Sequence, residues 1–292
     1  MKAAIYSRVM MDEQRNDIQS FFDELGHQQI IPVIYQDFFE EIKNTINLPA
    51  DTITFSGADD LTEEVEFIIS LGGDGTLLDT ITLVRDKNIA IMGINFGRMG
   101  FLASIGRDEL RVAVKAMVQR TYVVDKRSLI HLESSLPLFG HVPYALNDFS
   151  IHKRDVASMI KIHTYLNGEF LNTYWADGLI VATPTGSTGY SLSCNGPVVF
   201  PDSDSFVITP VAPHNLNVRP IVVPDSTIIS FEIESRADQI ICALDSRRQL
   251  VSKDVQLAIK REKFDVNLVR LSENNFLQTL RNKLTWGLDK RN

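Results

Sequence analysis

Cysteine is scarce in this 292-residue chain: Cys194 and Cys242 stand far apart, with no partner at metal or redox spacing, which excludes a disulfide scaffold and a cysteine-built metal site. Both read as small buried or half-buried side chains in a reduced compartment. Long apolar runs are also missing. All fall well short of the roughly 18 to 20 residues that cross a bilayer, and Met1-Lys2-Ala3-Ala4-Ile5-Tyr6-Ser7-Arg8 has no signal-peptide core, so the expectation is a cytoplasmic chain with no membrane partner. Proline is sparse, at 11 residues, and with 44% hydrophobic and 23% charged residues the composition is that of a folded chain, neither disordered nor collagen-like. There is no dense block of lysine or arginine: 29 basic against 37 acidic residues leave a net charge of -8, which argues against nucleic acid as a partner. A phosphate site here has to be local, made by backbone amides and a few side chains.

The chain exceeds the usual size of one compact domain, so two are expected. Lys2 to Ser7, Ile30 to Tyr35, Val65 to Leu71 and Ile89 to Ile94 are short apolar strands alternating with helical patterns, the signature of an α/β layer on a parallel sheet. Leu77, Leu78, Ile81 and Val84 recur at helical spacing, as do Leu110, Val114 and Met117. After about Tyr122 the helical period fades, and runs rich in Val, Ile, Tyr and Thr alternate with Gly, Pro, Asn and Asp. The division expected is an α/β domain over 1–121, a β-rich domain over 122–270, and a closing segment, 271–292. In that segment Leu277, Leu280 and Leu284 form a helical stripe behind Ser272, a candidate N-cap, so the helix should return to the first domain. Asn167-Gly168, between Ile160 to Leu166 and Glu169 to Trp175, predicts a hairpin with a type I′ turn.

Two segments carry chemistry. In the first, the strand Glu66 to Leu71 runs directly into Gly72-Gly73-Asp74-Gly75-Thr76 and then into a helix. Glycines let the backbone come close to an anion, and the amides at the start of the next helix supply donors, so a nucleotide phosphate fits. Asp74 is the odd member, since a carboxylate repels phosphate unless a metal, a proton or a hydroxyl donor stands between them. Taken alone, the run could equally be a tight turn with Asp74 capping the helix. Neither the P-loop pattern nor Gly-x-Gly-x-x-Gly occurs, so the familiar nucleotide folds are not indicated. In the second segment, Asp177 to Ser193, a strand passes into Thr183-Pro184-Thr185-Gly186-Ser187-Thr188-Gly189-Tyr190-Ser191-Leu192-Ser193, dense in hydroxyls and glycine. Such a turn can hold a ribose or phosphate, with the Tyr190 ring available for stacking. By itself it reads first as an ordinary Ser/Thr-capped turn.

Taken together and in order, these motifs resemble those of the NAD kinase family over nearly the whole chain. Gly72 to Thr76 is similar to the family's glycine loop and Gly93-Ile94-Asn95-Phe96-Gly97-Arg98-Met99-Gly100-Phe101-Leu102 to its next turn. Asn147-Asp148 resembles its Asn-Glu or Asn-Asp pair, and Asp177 to Ser193 its Asp-Gly to Thr-Gly-Ser-Thr segment. Pro213-His214, Arg219-Pro220 and Leu284-Thr285-Trp286-Gly287 resemble later landmarks. The resemblance implies a two-domain enzyme that phosphorylates the 2′-hydroxyl of the adenosine ribose of NAD. ATP or another phosphoryl donor, a divalent metal such as Mg²⁺ and a homo-oligomer, dimer or tetramer, belong to the same implication.

It also implies Asp74 as catalytic base, with Gly75 against the nucleotide and Asn147 and Asp148 on the adenine and ribose side. Asp177 and Thr188, Gly189, Tyr190, Ser191, Leu192 and Ser193 would hold the nicotinamide half, with Ser158, Trp175 and Ala212 as further contacts. Gly72, Gly73, Thr76, Asn95 and Arg247 are additional candidates, and no residue is assigned to the metal, for which Asp74 is an alternative ligand. His152, His163 and His214 are not spaced as metal ligands. The chain departs from the pattern at Gly189, where relatives usually carry Ala, and at Asp245-Ser246-Arg247, in place of Asp-Gly-Gln. Arg247 could reach a phosphate or simply be solvated. A lipid kinase shares the glycine loop and is the second enzyme reading; a non-catalytic NAD or NADP sensor is the third.

Overall fold

Val65–Leu71 is buried at every position except Glu66, as a strand covered on both faces must be. It belongs to the first of two units, and a computed structural model describes residues 1–97, 100–155, 158–271 and 275–286 of the chain. In chain order this unit comprises β1 (Lys2–Tyr6), α1 (Arg15–His27), β2 (Ile31–Tyr35), α2 (Gln36–Ile42), β3 (Ile53–Phe55) and β4 (Val65–Leu71). Next come α3 (Asp74–Val84), β5 (Ala90–Asn95), β6 (Ile105–Gly106), α4 (Leu110–Gln119) and β7 (Tyr122–Arg127). Leu77, Ile81 and Val84 are the buried stripe of α3, and Leu110, Val114 and Met117 that of α4, as their spacing predicts. Ile18, Phe21, Phe22 and Leu25 of α1 and Phe38 and Ile42 of α2, two helices beyond those the sequence spacing predicts, are central to this core.

The second unit is a sandwich of two antiparallel sheets, built from β8 (Ile130–Ser134), β9 (Tyr144–Ala145), β10 (Asp148–Lys153), β11 (Ile160–Leu166), β12 (Glu169–Ala176) and β13 (Gly178–Ala182). It continues with α5 (Tyr190–Ser193), β14 (Ser205–Val211), β15 (Ile221–Pro224), β16 (Ile229–Glu234), β17 (Gln239–Leu244), β18 (Arg247–Ser252) and β19 (Leu257–Arg261). One sheet has the order β15-β14-β13-β10-β17-β18, the other β12-β11-β16-β19-β8-β9. Their inner faces meet where Phe149 of β10 packs on Phe231 of β16, with 6.0 Å between ring centroids. The hairpin falls where Asn-Gly places it: β11 and β12 flank Asn167 and Gly168, with φ of 51° and 84°, both positive as a type I′ turn requires.

The chain then returns to the first unit with β20 (Val266–Leu271) and α6 (Phe276–Leu284). The first sheet runs β3-β2-β1-β4-β5-β20-β7, with β6 beside β5, and its pairings from β3 through β5, to β6 and to β20 are parallel. Packing therefore divides the chain at 126/127 and 265/266, whereas the sequence suggests 121/122 and 270/271. The physical reason is hydrogen bonding: β7 and β20 have the β-rich composition of the middle region but join the first sheet, a non-local pairing that composition does not record. The cap of α6 is Asn275, whose side chain accepts the Gln278 amide. Ser272, the expected cap, lies outside the described residues, as do Arg98, Met99 and Gly287 of the motifs.

Candidate active site

Chain order in the first sheet reverses at β1: β2 and β3 lie to one side, β4 and β5 to the other. In an open parallel sheet, a crevice forms beyond the carboxyl ends of the strands at such a switch point, and ligands bind there. The segments that leave those ends are Ser7-Arg8 after β1 and Gly72 to Gly75 after β4. The Ser7 hydroxyl ties them together by donating to the Leu71 carbonyl at 2.8 Å. Gly72 takes φ of 154°, and a side chain there would collide with the Thr76 hydroxyl, 2.4 Å from its Cβ position, so the first glycine of the run is required by both backbone and space. Asn95 closes β5, and its side-chain oxygen accepts the Gly97 amide at 2.7 Å. Buried in this way, Asn95 shapes the neighbouring loop.

Asp74 is the first residue of α3 and is half-buried. Its Oδ1 accepts the amides of Leu102 at 3.1 Å and Ala103 at 2.9 Å, and its Oδ2 accepts that of Phe101 at 2.8 Å. Three consecutive amides thus hold one carboxylate. A carboxylate offers about four acceptor positions, so among the described residues one is left open, on Oδ2. That single position suits one more hydroxyl or one metal bond.

Arg8, which the motifs do not contain, also belongs here. Its Nε and Nη2 grip both oxygens of Asp79 at 2.5 and 2.8 Å, Nη2 also donates to the Gly75 carbonyl at 3.1 Å, and the Tyr6 hydroxyl donates to Asp79 at 3.0 Å. A fixed guanidinium therefore lies against the glycine loop with half its side-chain surface exposed. The signal that could have found it is position, since Arg8 lies just past the carboxyl end of the central strand.

In the second unit, Asn147-Asp148 is clamped from two sides. The Asn147 carbonyl accepts the Thr183 amide at 2.9 Å, and the Thr183 hydroxyl donates to the Leu146 carbonyl at 2.5 Å. From the other side, the Asp245 carboxylate accepts the amides of Leu146, Asn147 and Asp148 at 3.0, 2.7 and 3.3 Å. Asp245 does this from a φ of 52°, a conformation an aspartate tolerates better than most residues. The Asp148 carboxyl has no hydrogen-bond partner among the described residues. Burial and the neighbouring Asp245 raise its pKa to about 7. Burial also pushes Asp245 up, opposed there by the three amides and the Arg247 charge.

The hydroxyl-rich segment folds as a strand, a short 3-10 turn (Thr185–Thr188) and the single-turn helix α5. Thr188, Gly189, Tyr190, Leu192 and Ser193 are half-buried or exposed. Ser191 is not: its side chain is fully buried, and its hydroxyl is hydrogen-bonded to that of Thr209 at 2.8 Å, which makes it an anchor for α5. The exposed Tyr190 ring leans on His152 with centroids 5.6 Å apart, and Gly189 has φ of -94°, which other residues also adopt. Asp177 pairs with Lys153 at 2.6 Å.

Ser158 and Trp175 line a pocket of about 610 Å³ with Met159, Lys161, His214 and Glu234. There the Trp175 ring meets His214 edge-on at 4.4 Å, while His163 bonds to Thr173 and Glu234. Exposed Ala212 has φ of 44°, a strained conformation for a residue with a Cβ. Arg247 departs most from its sequence reading. Its guanidinium donates to the carbonyls of Val142, at 2.6 Å, and Tyr144, and lies over the Phe139 ring. The side chain is half-buried and tied to backbone instead of simply solvated.

Fold and site describe a two-unit α/β and β-sandwich protein with a glycine loop at a sheet switch point. The ATP-NAD kinase N-terminal domain model matches residues 23–122 and the ATP-NAD kinase C-terminal domain model residues 146–271. The chain belongs to the NAD kinase family. It is 47% identical to an NAD kinase of Cytophaga hutchinsonii over 290 residues, covering 99% of both chains, and 42% identical to one of Flavobacterium psychrophilum over the full length of both. Among solved structures, the fold matches a yeast NADH kinase complexed with NADH at a TM-score of 0.86 and 23% identity, covering 99% of this chain and 89% of that one. It also matches an NAD kinase from Archaeoglobus fulgidus in complex with ATP at a TM-score of 0.74 and 25% identity, covering 98% and 99%.

Proposed function

We propose that this protein transfers a phosphoryl group from ATP to the 2′-hydroxyl of the adenosine ribose of NAD, giving NADP. The observation that carries the reading is Asp74, an amide-held carboxylate with one open acceptor position, in the glycine loop of a chain of this family. A ribose hydroxyl does not ionise at neutral pH, so a carboxylate that accepts its hydrogen bond orients it and takes its proton as the bond to phosphorus forms. Arg8 and the amides at the start of α3 supply positive charge for phosphate oxygens. Asn147 and Asp148, fixed from both sides with the Asp148 carboxyl unpartnered among the described residues, are the proposed contacts for adenine and ribose hydroxyls. Tyr190, Asp177, Thr188, Ser193, Trp175 and Ser158 are the proposed contacts for the rest of the dinucleotide.

Among the described residues no group of three or more His, Cys, Asp or Glu side chains could cage a metal ion. That fits an ion that arrives on the nucleotide's phosphates, with at most the open position on Asp74 as protein ligand. Such an ion, Mg²⁺ in this reading, neutralises phosphate charge when bound. A homo-oligomer and a reduced, cytoplasmic setting, in which the free Cys194 and Cys242 remain thiols, complete the proposal. The test is to incubate the purified chain with NAD, ATP and Mg²⁺ and to detect NADP with an NADP-specific dehydrogenase; no NADP under any metal or donor rejects it.

A further inference from the structure

Resting on the reading of Asp74 as the group that meets the ribose hydroxyl, a further role follows from the loop that holds it. The cradle amides are consecutive, Phe101 to Ala103, and the residue before them is Gly100, which is buried. A Cβ on Gly100 would stand 1.7 Å from Asp74 Oδ1 and 2.4 Å from its Cγ. Any side chain at 100 therefore occupies the carboxylate's own place. Both partners are constrained: Asp74 opens α3 directly after β4, and Ala103, which supplies the third amide, is pressed against β5, its Cα only 2.8 Å from where a Gly93 Cβ would sit.

We propose that Gly100 is a positioning residue for the phosphoryl transfer: by leaving room for Asp74 in the amide cradle of residues 101–103, it fixes which carboxylate oxygen, Oδ2, faces the ribose hydroxyl. Gly100 touches no substrate in this account and acts only through Asp74. A Cβ would turn the carboxylate out of the cradle, misdirecting Oδ2 and breaking its bonds to the three amides.

The experiment uses full-length protein in the NADP-forming assay, with NAD affinity measured by calorimetry and folding by thermal melts. Gly100→Ala should lower kcat about 100-fold, the scale of a lost or misplaced acid–base group, with NAD affinity within about threefold of wild type. That split, with kcat lost and NAD affinity kept, is a change that mere loosening of the fold does not produce. Gly106→Ala, six residues on, is the control: its Cβ meets nothing closer than 3.6 Å, and activity should be unchanged.

The decisive arm removes the carboxylate. In an Asp74→Ala background the place claimed by the Cβ is vacant, so adding Gly100→Ala should cost less than about twofold in rate and no melting temperature, the non-additivity expected of coupled neighbours. Should Gly100→Ala keep wild-type kcat, or cost the same with and without Asp74, the inference is overturned while the role of Asp74 stands. Full activity in Asp74→Ala alone overturns the reading of Asp74 itself, and the role of Gly100 with it. If Gly100→Ala does not fold, the double variant still decides, since recovery of folding by Asp74→Ala demonstrates the steric coupling and continued misfolding refutes it.

Discussion

Asp74 and Asp245 sit in separately packed units, yet each accepts three consecutive backbone amides, two on Oδ1 and one on Oδ2. By count each carboxylate keeps one acceptor position, and what differs is which partner is offered to a ligand. Around Asp74 the peptide is the holder, and the carboxylate at the sheet's switch point retains an open acceptor position. Around Asp245 the carboxylate is the holder, and the residues it fixes, Asn147 and Asp148, present the unpartnered side chain. One local arrangement thus serves two ends, to aim an acid group in the α/β unit and to aim a peptide in the sandwich. Substitution should separate them, with kinetic losses at the first and losses of stability and affinity at the second.

The largest expected effect is at Asp74. Asp74→Asn keeps the shape and part of the cradle but cannot take a proton, so kcat should fall by about 10² to 10⁴ while the NAD dissociation constant stays within a few-fold, measured by coupled assay and calorimetry. A loss confined to KM would make Asp74 a binding residue and collapse the distinction. Asp245→Ala should do the reverse. It strands three amides, and a cost of about 2–4 kcal/mol in a denaturant melt is expected, with NAD affinity reduced and kcat at saturation largely kept. Asp245→Asn, which retains one acceptor oxygen, should fall between Asp245→Ala and wild type.

These two aspartates also differ in how legible they are in sequence. Asp74 stands inside a glycine run at a strand-to-helix junction, where spacing and flanking apolar residues expose it. Asp245 is visible only as part of a departure, Asp245-Ser246-Arg247, because its partners lie about a hundred positions earlier and no local pattern encodes that pairing. Non-local pairing also explains the domain boundaries, where β7 and β20 join the α/β sheet despite β-rich composition. It explains Arg8 and Ser191 as well. The former is brought to Gly75 by β1 lying beside β4, and the latter is turned into the interior by Thr209. Local chemistry, by contrast, was readable: the Asn167-Gly168 turn, the α3 and α4 stripes and the strand cores follow from period and φ preference alone.

A smaller effect tests the electrostatics of the Asp245 clamp. Unfolded, Asp148 loses its proton near the ordinary aspartate value of 3.8; folded, burial and Asp245 hold it until about 7. Between those values the folded state binds the extra proton, so this group's contribution to stability is complete below about pH 4 and is lost as the pH rises through 7. Asp148→Asn should remove that slope and be the more stable protein at pH 8, by about 2–4 kcal/mol at most, in melts compared across pH 4 to 8. An unchanged slope would mean that Asp245, and not Asp148, carries the proton.

The smallest effect concerns Arg247, and it asks whether the clamp extends to the next residue of the strand. Its two bonds to the Val142 and Tyr144 carbonyls tie the start of β18 to the segment that leads into Asn147, and its charge opposes the upward push on Asp245. If that is its work, Arg247→Ala should cost about 1–2 kcal/mol in a melt, from two charge-assisted hydrogen bonds partly replaced by water, and leave the KM for ATP within about twofold. Arg247→Lys should recover only part of the stability, because an ammonium lacks the planar fork that reaches both carbonyls at once. A rise in the KM for ATP of fivefold or more, with the melt unchanged, would instead place the guanidinium on a ligand phosphate. The sandwich would then carry phosphate-binding charge of its own, and the proposed division between a unit that handles phosphate and a unit that holds the dinucleotide would have to be redrawn around Arg247.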